Sequence, residues 1–203
     1  MPRPETPLTR DQIVDAAEDV LRRFGPAKAN VVDVARALGV SHAAVYRHVE
    51  NKAALRDMVV GRWVEQVMPP LRTIVAKSGP APQRLRKFFD TLMACKRQRA
   101  SADPELFTAY RALAAGARSL AAAHVDELIA MVAEIVRDGV KEGTFREVDP
   151  MTTGRAVLLA TMRFHHPVHA DEWSEPTIDQ DFEAVWSLLM EGLSVGKKKS
   201  ARG

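Results

Sequence analysis

The chain has 203 residues, 46% of them hydrophobic and 27% charged, an ordinary globular balance with length enough for one or two packed domains. A single cysteine, Cys95, excludes an intrachain disulfide framework and reads as a small core residue rather than a redox sensor. No apolar run approaches the roughly 18 residues of a membrane span. The opening MPRPETPLTR lacks the apolar stretch of a secretory signal, so a cytoplasmic, membrane-free protein is expected. The net charge of +3 hides an asymmetry: residues 61–99 carry 9 Lys and Arg against 2 acids, and residues 100–194 carry 7 against 16. A basic N-terminal half suits a polyanion, although solvated helix faces give the same imbalance.

Abundant alanine and few aromatics favour an all-α chain. Residues 9–24 carry Ile13, Ala16, Ala17, Val20, Leu21 and Phe24 at helical spacing, with Thr9 and Gln12 placed for a capping box and Gly25-Pro26 as the stop. Shorter helices follow at 31–38, capped by Asn30, and at about 42–48, capped by Ser41. Asn51 caps another from 52 into the 60s, which Pro69-Pro70 must kink or end. Beyond the loop SGPAP, helices are predicted at 83–99, from Asp103-Pro104 to about 115, at 118–142, at 150–166 and at 178–193. That is about nine helices. The expected division is a small N-terminal helical domain at 1–60, a larger helical domain at 61–194, and a basic disordered tail at 195–203.

The stretch VVDVARALGVSHAAVYRHVE, residues 31–50, has the spacing of a helix-turn-helix. Two short helices crossing steeply need a small residue at the crossing, Ala35. They need a left-handed residue in the turn, Gly39, and an apolar residue facing back from the second helix, Val45. Val31, Val34, Leu38 and Val40 complete the small core.

With its surroundings, GVSHAAVYRHVENKAAL, this stretch resembles the tetracycline-repressor (TetR) family signature in Gly39-Val40-Ser41, Tyr46, Arg47, His48, Lys52 and Leu55. The resemblance is specific over about 9–56 and beyond 60 rests on helix order and length. It implies a three-helix DNA-binding domain followed by a helical sensing domain. It also implies a sequence-specific transcriptional regulator, by family default a repressor, released from a double-stranded operator by a small-molecule effector. Ser41, Tyr46 and Lys52 would hold phosphates, and Asn30 would cap its helix near the backbone. Such contacts set register without reading sequence. Base reading falls to the start of the third helix. There Ala43 and Ala44 replace the commoner Gly-Thr and can touch only a thymine methyl, leaving His42 as reader and Arg47 as a second reader or phosphate clamp. His48 is expected to pack inward. Arg3 and Arg10 could reach a groove from the N-terminal arm, or simply face solvent.

The resemblance further implies a homodimer through 150–166 and 178–193 and an effector cavity among the middle helices. Candidate lining residues are Phe89, Met93, Phe107, Tyr110, Leu128, Met131, Met162 and Phe164, each also a plain core candidate. No cofactor is required. A metal is an alternative, because His165 and His169 precede Asp171 and Glu172, with His124 on the long middle helix as a third ligand. Pro167 spoils the helical spacing of that cluster. No phosphate loop, nucleophile elbow or regular metal spacing marks an enzyme. A metalloenzyme built on the 165–172 cluster and a non-specific, architectural DNA-binding protein are the remaining alternatives; the acidic second domain argues against the latter.

Overall fold

The computed structural model describes residues 7–26 and 30–196. Among them the helices are α1 (Arg10–Phe24), α2 (Val31–Leu38), α3 (His42–Tyr46), α4 (Lys52–Glu65), α5 (Met68–Ala76) and α6 (Ala81–Ala102). They continue with α7 (Pro104–Ala114), α8 (Arg118–Lys141), α9 (Pro150–Ala160), α10 (Met162–His165) and α11 (Ile178–Leu193). A 3₁₀ turn covers Pro167–Glu172, between the helices expected at 150–166 and 178–193. The described residues form no strand beyond one isolated bridge, Phe145 with Ser194. Arg3 and most of the basic tail lie outside the described residues.

The fold is all-α, with two helices more than the nine expected. The first is α5. Pro69 and Pro70 do end the preceding helix, but they also sit in the first turn of a new one, where no backbone N–H is needed. The second is α10. The single helix expected at 150–166 breaks at Thr161, which is fully buried and whose hydroxyl donates to the Val157 carbonyl at 2.9 Å. Elsewhere capping sets the boundaries. The Gln12 amide donates to Thr9 Oγ1 at 3.2 Å while the Thr9 amide donates to Gln12 Oε1 at 2.9 Å. Asp103 and Asp149 accept from the Leu106 and Thr152 amides, each ahead of an N-terminal proline.

The chain divides into two compact units, Met1–Gln66 with Arg99–Ala123, and Val67–Gln98 with His124–Gly203. This partition differs from a cut at 60, because residues 99–123 belong with the N-terminal helices. Aromatic packing explains it: Trp63 stacks on Tyr110 at 3.8 Å between ring centroids and meets Phe107 at 5.9 Å. In the same unit Arg22 pairs with Asp103 at 2.8 Å, and Arg62 of α4 is held by Asp11 and Asp15 of α1. Ile13, Ala17, Leu21, Val34, Ala35, Val45, Leu55 and Val60 fill its core. Phe24, expected on the buried stripe, is 63% exposed at the end of α1, where the chain turns away at Gly25.

The second unit is built on α6 and α8. Leu85, Phe88, Phe89 and Leu92 of α6 and Val132, Ala133, Ile135 and Val136 of α8 are fully buried. Each of these side chains larger than Ala133 stabilises by roughly 1.5–3 kcal/mol. Phe182 and Trp186 of α11 close the core, Phe182 against Phe164 at 5.2 Å and Trp186 against Phe89 at 5.7 Å. Helix α9 crosses α8 at Gly154, where an added Cβ would stand 3.0 Å from the Ala133 nitrogen and the Ile129 carbonyl oxygen. One side chain breaks the pattern of these interiors. Lys96 of α6 is 3% exposed and makes no ion pair or hydrogen bond among the described residues.

Candidate nucleic-acid interface

The helix-turn-helix is assembled by its own backbone. Asn30 caps α2, accepting from the Asp33 amide at 2.9 Å, and one of its amide hydrogens goes to Asp33 Oδ2 at 2.6 Å. Gly39 ends α2 in the left-handed region at φ 67° and ψ 27°, a conformation that strains any side chain. The Val40 amide then returns to the Ala35 carbonyl at 3.1 Å, so the turn closes over the small residue at the crossing. Ala35 and Val45 are both fully buried, as the spacing requires.

This seating decides which side chains are presented. His42, Ala43, Tyr46 and Arg47 are exposed and Ala44 is half-buried, whereas Val45 and Val49 point into the core. Tyr46, an aromatic side chain 50% exposed, has its hydroxyl available for an outside partner. Ser41 Oγ accepts from the Ala44 amide at 3.2 Å, so its own proton is free to be donated outward. His48 is half-buried. Arg10, at the start of α1, is exposed.

Lys52 is exposed at the first position of α4, just after Asn51, whose side chain accepts from the Ala54 amide at 2.9 Å. That turn contains no acid. A cation there opposes the positive end of the helix dipole, a penalty of about 0.3–1 kcal/mol. A phosphate reverses its sign, since both the cation and the free amides attract an anion. The surface offered by α3 and the start of α4 therefore combines donors and positive charge with few acceptors.

The eight cavity candidates do not form one group. Phe107 and Tyr110 belong to the unit that carries the helix-turn-helix, packed with Trp63. Phe89, Met93, Leu128, Met131 and Phe164 are buried, and Met162 half-buried, in the other unit. That unit also has an open groove of about 850 Å³ between α6 and α11, lined by Arg86, Asp90, Cys95, Trp186 and Met190 among others and by none of the candidates.

The metal alternative is corrected. Among the described residues no three His, Cys, Asp or Glu side chains are grouped to hold an ion. His169 Nδ1 is engaged with Glu172 at 2.7 Å. His165 is buried against Thr161, and the Lys96 ammonium acts on both His165 and His124, so a cation would be repelled there. The acids near the cluster serve Arg163, which binds Glu172, Glu175 and Asp181 at 2.6–2.8 Å. Sequence reasoning passed over Lys96, although it lies seven residues after Phe89 and so on the same face of α6.

An all-α chain with an exposed recognition helix on a capped helix-turn-helix is a DNA-binding transcriptional regulator by class. Residues 13–59 match the family model "Bacterial regulatory proteins, tetR family", and residues 81–186 match "Tetracyclin repressor-like, C-terminal domain". The chain belongs to the TetR family. It is similar to an uncharacterized HTH-type transcriptional regulator of Mycobacterium tuberculosis, with 39% identity over 57 residues, or 28% of each chain. It is likewise similar to TtgR of Pseudomonas putida, with 41% identity over 51 residues, 25% of this chain and 24% of that one. The chain thus spans only about a quarter of the length of these relatives in alignment. The nucleoid occlusion factor SlmA of Aliivibrio fischeri matches at 22% identity, over 93% of this chain and 97% of its own. Among solved structures, SmeT, the repressor of the Stenotrophomonas maltophilia efflux pump SmeDEF, superposes with a TM-score of 0.70 at 18% identity, covering 95% and 92% of the chains. FadR of Bacillus subtilis in complex with stearoyl-CoA gives 0.65 at 16% identity, covering 91% and 99%. No helix of the described residues is long and apolar enough to cross a membrane.

Proposed function

We propose that this regulator is a repressor that occupies its operator as a homodimer and is released by a small molecule bound in the second unit. The observation that carries the DNA half is the exposed set Ser41, His42, Tyr46, Arg47 and Lys52 on a turn closed by Gly39. Ser41, Tyr46 and Lys52 hold phosphates, His42 reads a base edge, and Ala43 and Ala44 accept a thymine methyl. Asn30 steadies α2 and has one amide hydrogen left for the backbone.

A single recognition helix reads half a site, so two are set about 34 Å apart by two-fold symmetry. Leu188 of α11, 71% exposed, and Met151 and Leu159 of α9, about half exposed, supply apolar contact for such pairing. The effector half is supported by neighbours of the same fold: SmeT has been solved with triclosan and FadR with stearoyl-CoA. An effector acts by its differential affinity for the form that cannot span two half-sites.

Fluorescence anisotropy with DNA from the regulator's own promoter, against random duplex, tests this. His42→Ala should lose about 1–3 kcal/mol of specific binding only, while Lys52→Ala should weaken all duplexes and lower the salt slope by about 1. Equal affinity for promoter and random DNA would reject a sequence-specific repressor. Leu188→Glu should shift the protein to monomer in sedimentation; an unchanged mass would reject the proposed pairing face.

A further inference from the structure

Three polar side chains of the second unit are buried without the partners that burial demands. Lys96 is 3% exposed, His165 3% and His124 9%. Both ring nitrogens of His124 and the Nδ1 of His165 have no hydrogen-bond partner among the described residues. Buried polar atoms are nearly always paired, so three orphaned nitrogens beside an unpaired ammonium need an explanation.

They act on one another electrostatically. The Lys96 ammonium disfavours the charged form of His124, His165 and half-buried His166, and the imidazoles act on one another. Among the described residues no carboxylate acts on any of the four. Burial alone lowers Lys96 to about 8, so it is still mainly charged at neutral pH. It also holds His124 down at about 3 and His165 well below the usual range, which leaves both neutral. Among the described residues the inventory is one buried positive charge, neutral imidazoles and no counter-ion.

The surroundings are apolar. Phe89 and Met93 precede Lys96 by seven and three residues on one face of α6, and Leu128 and Met131 follow His124 by four and seven on one face of α8. His165 is pinned from two sides, by Thr161 Oγ1 at 3.2 Å from its Nε2 and by the Phe89 ring at 6.1 Å between centroids. Thr161 gives its proton to the Val157 carbonyl, so the His165 ring donates Nε2–H to it and keeps Nδ1 as a bare acceptor.

We propose that Lys96, His124 and His165 form the polar end of the effector site and that the effector is an organic acid, its carboxylate bound by the Lys96 ammonium and a His124 N–H and its apolar body lying along Phe89, Met93, Leu128 and Met131. His165 Nδ1 takes a donor on the ligand beside the carboxylate. This inference rests on the effector reading and gives it a chemical class. A few convergent polar groups in an apolar surround are the general form of a small-molecule site, and a buried, unpaired cation selects an anion.

The test uses the full chain and straight-chain carboxylates from butanoate to hexadecanoate, each against the primary alcohol of equal length, by calorimetry. In the wild type one length should bind as the acid about tenfold to a hundredfold more tightly than as the alcohol. Lys96→Met, which keeps the volume, should abolish most of that preference, and His124→Leu should reduce it. Acid and alcohol binding alike, no acid binding at all, or an undiminished preference in Lys96→Met would overturn the proposal. The wild-type comparison needs no variant. Release of promoter DNA, followed in parallel, separates the two readings: release by a neutral compound alone sinks the carboxylate assignment and leaves the effector mechanism standing.

Discussion

The two units place their polar working groups in opposite ways. In the first, Ser41, His42, Arg47 and Lys52 face solvent and are held by backbone within a few residues of themselves. In the second, Lys96, His124 and His165 come from three helices and are withdrawn from water. A DNA surface must be wet and cationic before its partner arrives, because affinity comes from releasing counterions. A small-molecule site gains by being dry, because charges act strongly there. Residues of the first kind cost the free protein little, and residues of the second kind cost it a great deal.

Substitutions in each unit test this contrast. The largest effect is expected at Val45, which is fully buried between α2 and α3: Val45→Asp should remove about 3–5 kcal/mol and abolish operator binding, read by urea denaturation and anisotropy. At Lys96 the sign reverses. Lys96→Met should stabilise the free protein by roughly 3 kcal/mol, since a buried Lys lowered from 10.5 to about 8 opposes folding. The unfolded chain holds that proton between about pH 8 and 10.5 while the folded one does not. The wild type therefore recovers stability as pH rises through this window, and the advantage of Lys96→Met shrinks there. A Lys96→Met protein less stable than the wild type at neutral pH would remove the contrast between the units.

A smaller effect belongs to acid. His124, held at about 3, and His165 are neutral when folded and charged when unfolded below about 6.5. Stability from both is full above that pH and is lost as pH falls. His124→Leu should lower the slope of stability against pH by about 1.4 kcal/mol per unit between pH 6 and 4, measured by denaturant titration. The smallest is Asn51→Ala, which removes the cap of α4 and should cost about 1 kcal/mol with no dependence on pH in that range.

The DNA-binding half was legible because its constraints are local. Ala35, Gly39 and Val45 lie within one stretch of 20 residues, and each answers one steric demand. The range of α11 was equally plain, because Ile178, Phe182, Trp186 and Leu193 keep helical register. Helix α5 was missed because two prolines read as a break when they also serve as a beginning. The break at Thr161 was missed because it comes from burial of one hydroxyl, which spacing does not record. Lys96 escaped for a related reason, and His124 was read only as a metal ligand. A lysine in a helix is usually at the surface, and the stripe through Phe89 and Met93 was followed only through its apolar members. Whether a polar residue on such a stripe is partnered depends on helices far away in sequence.

Gly154 has a mechanical consequence. Because α9 meets α8 backbone to backbone there, with 3.0 Å left for any added carbon, no compliant side chain stands between the two helices to absorb a shift. The stretch of α8 after His124 and the α9 segment that carries Met151 and Leu159 are thereby geared together. Movement imposed at the buried nitrogens would be delivered at the outer face of α9 as a displacement of the whole rod, and Gly154→Ala would act as a shim that resets its rest position.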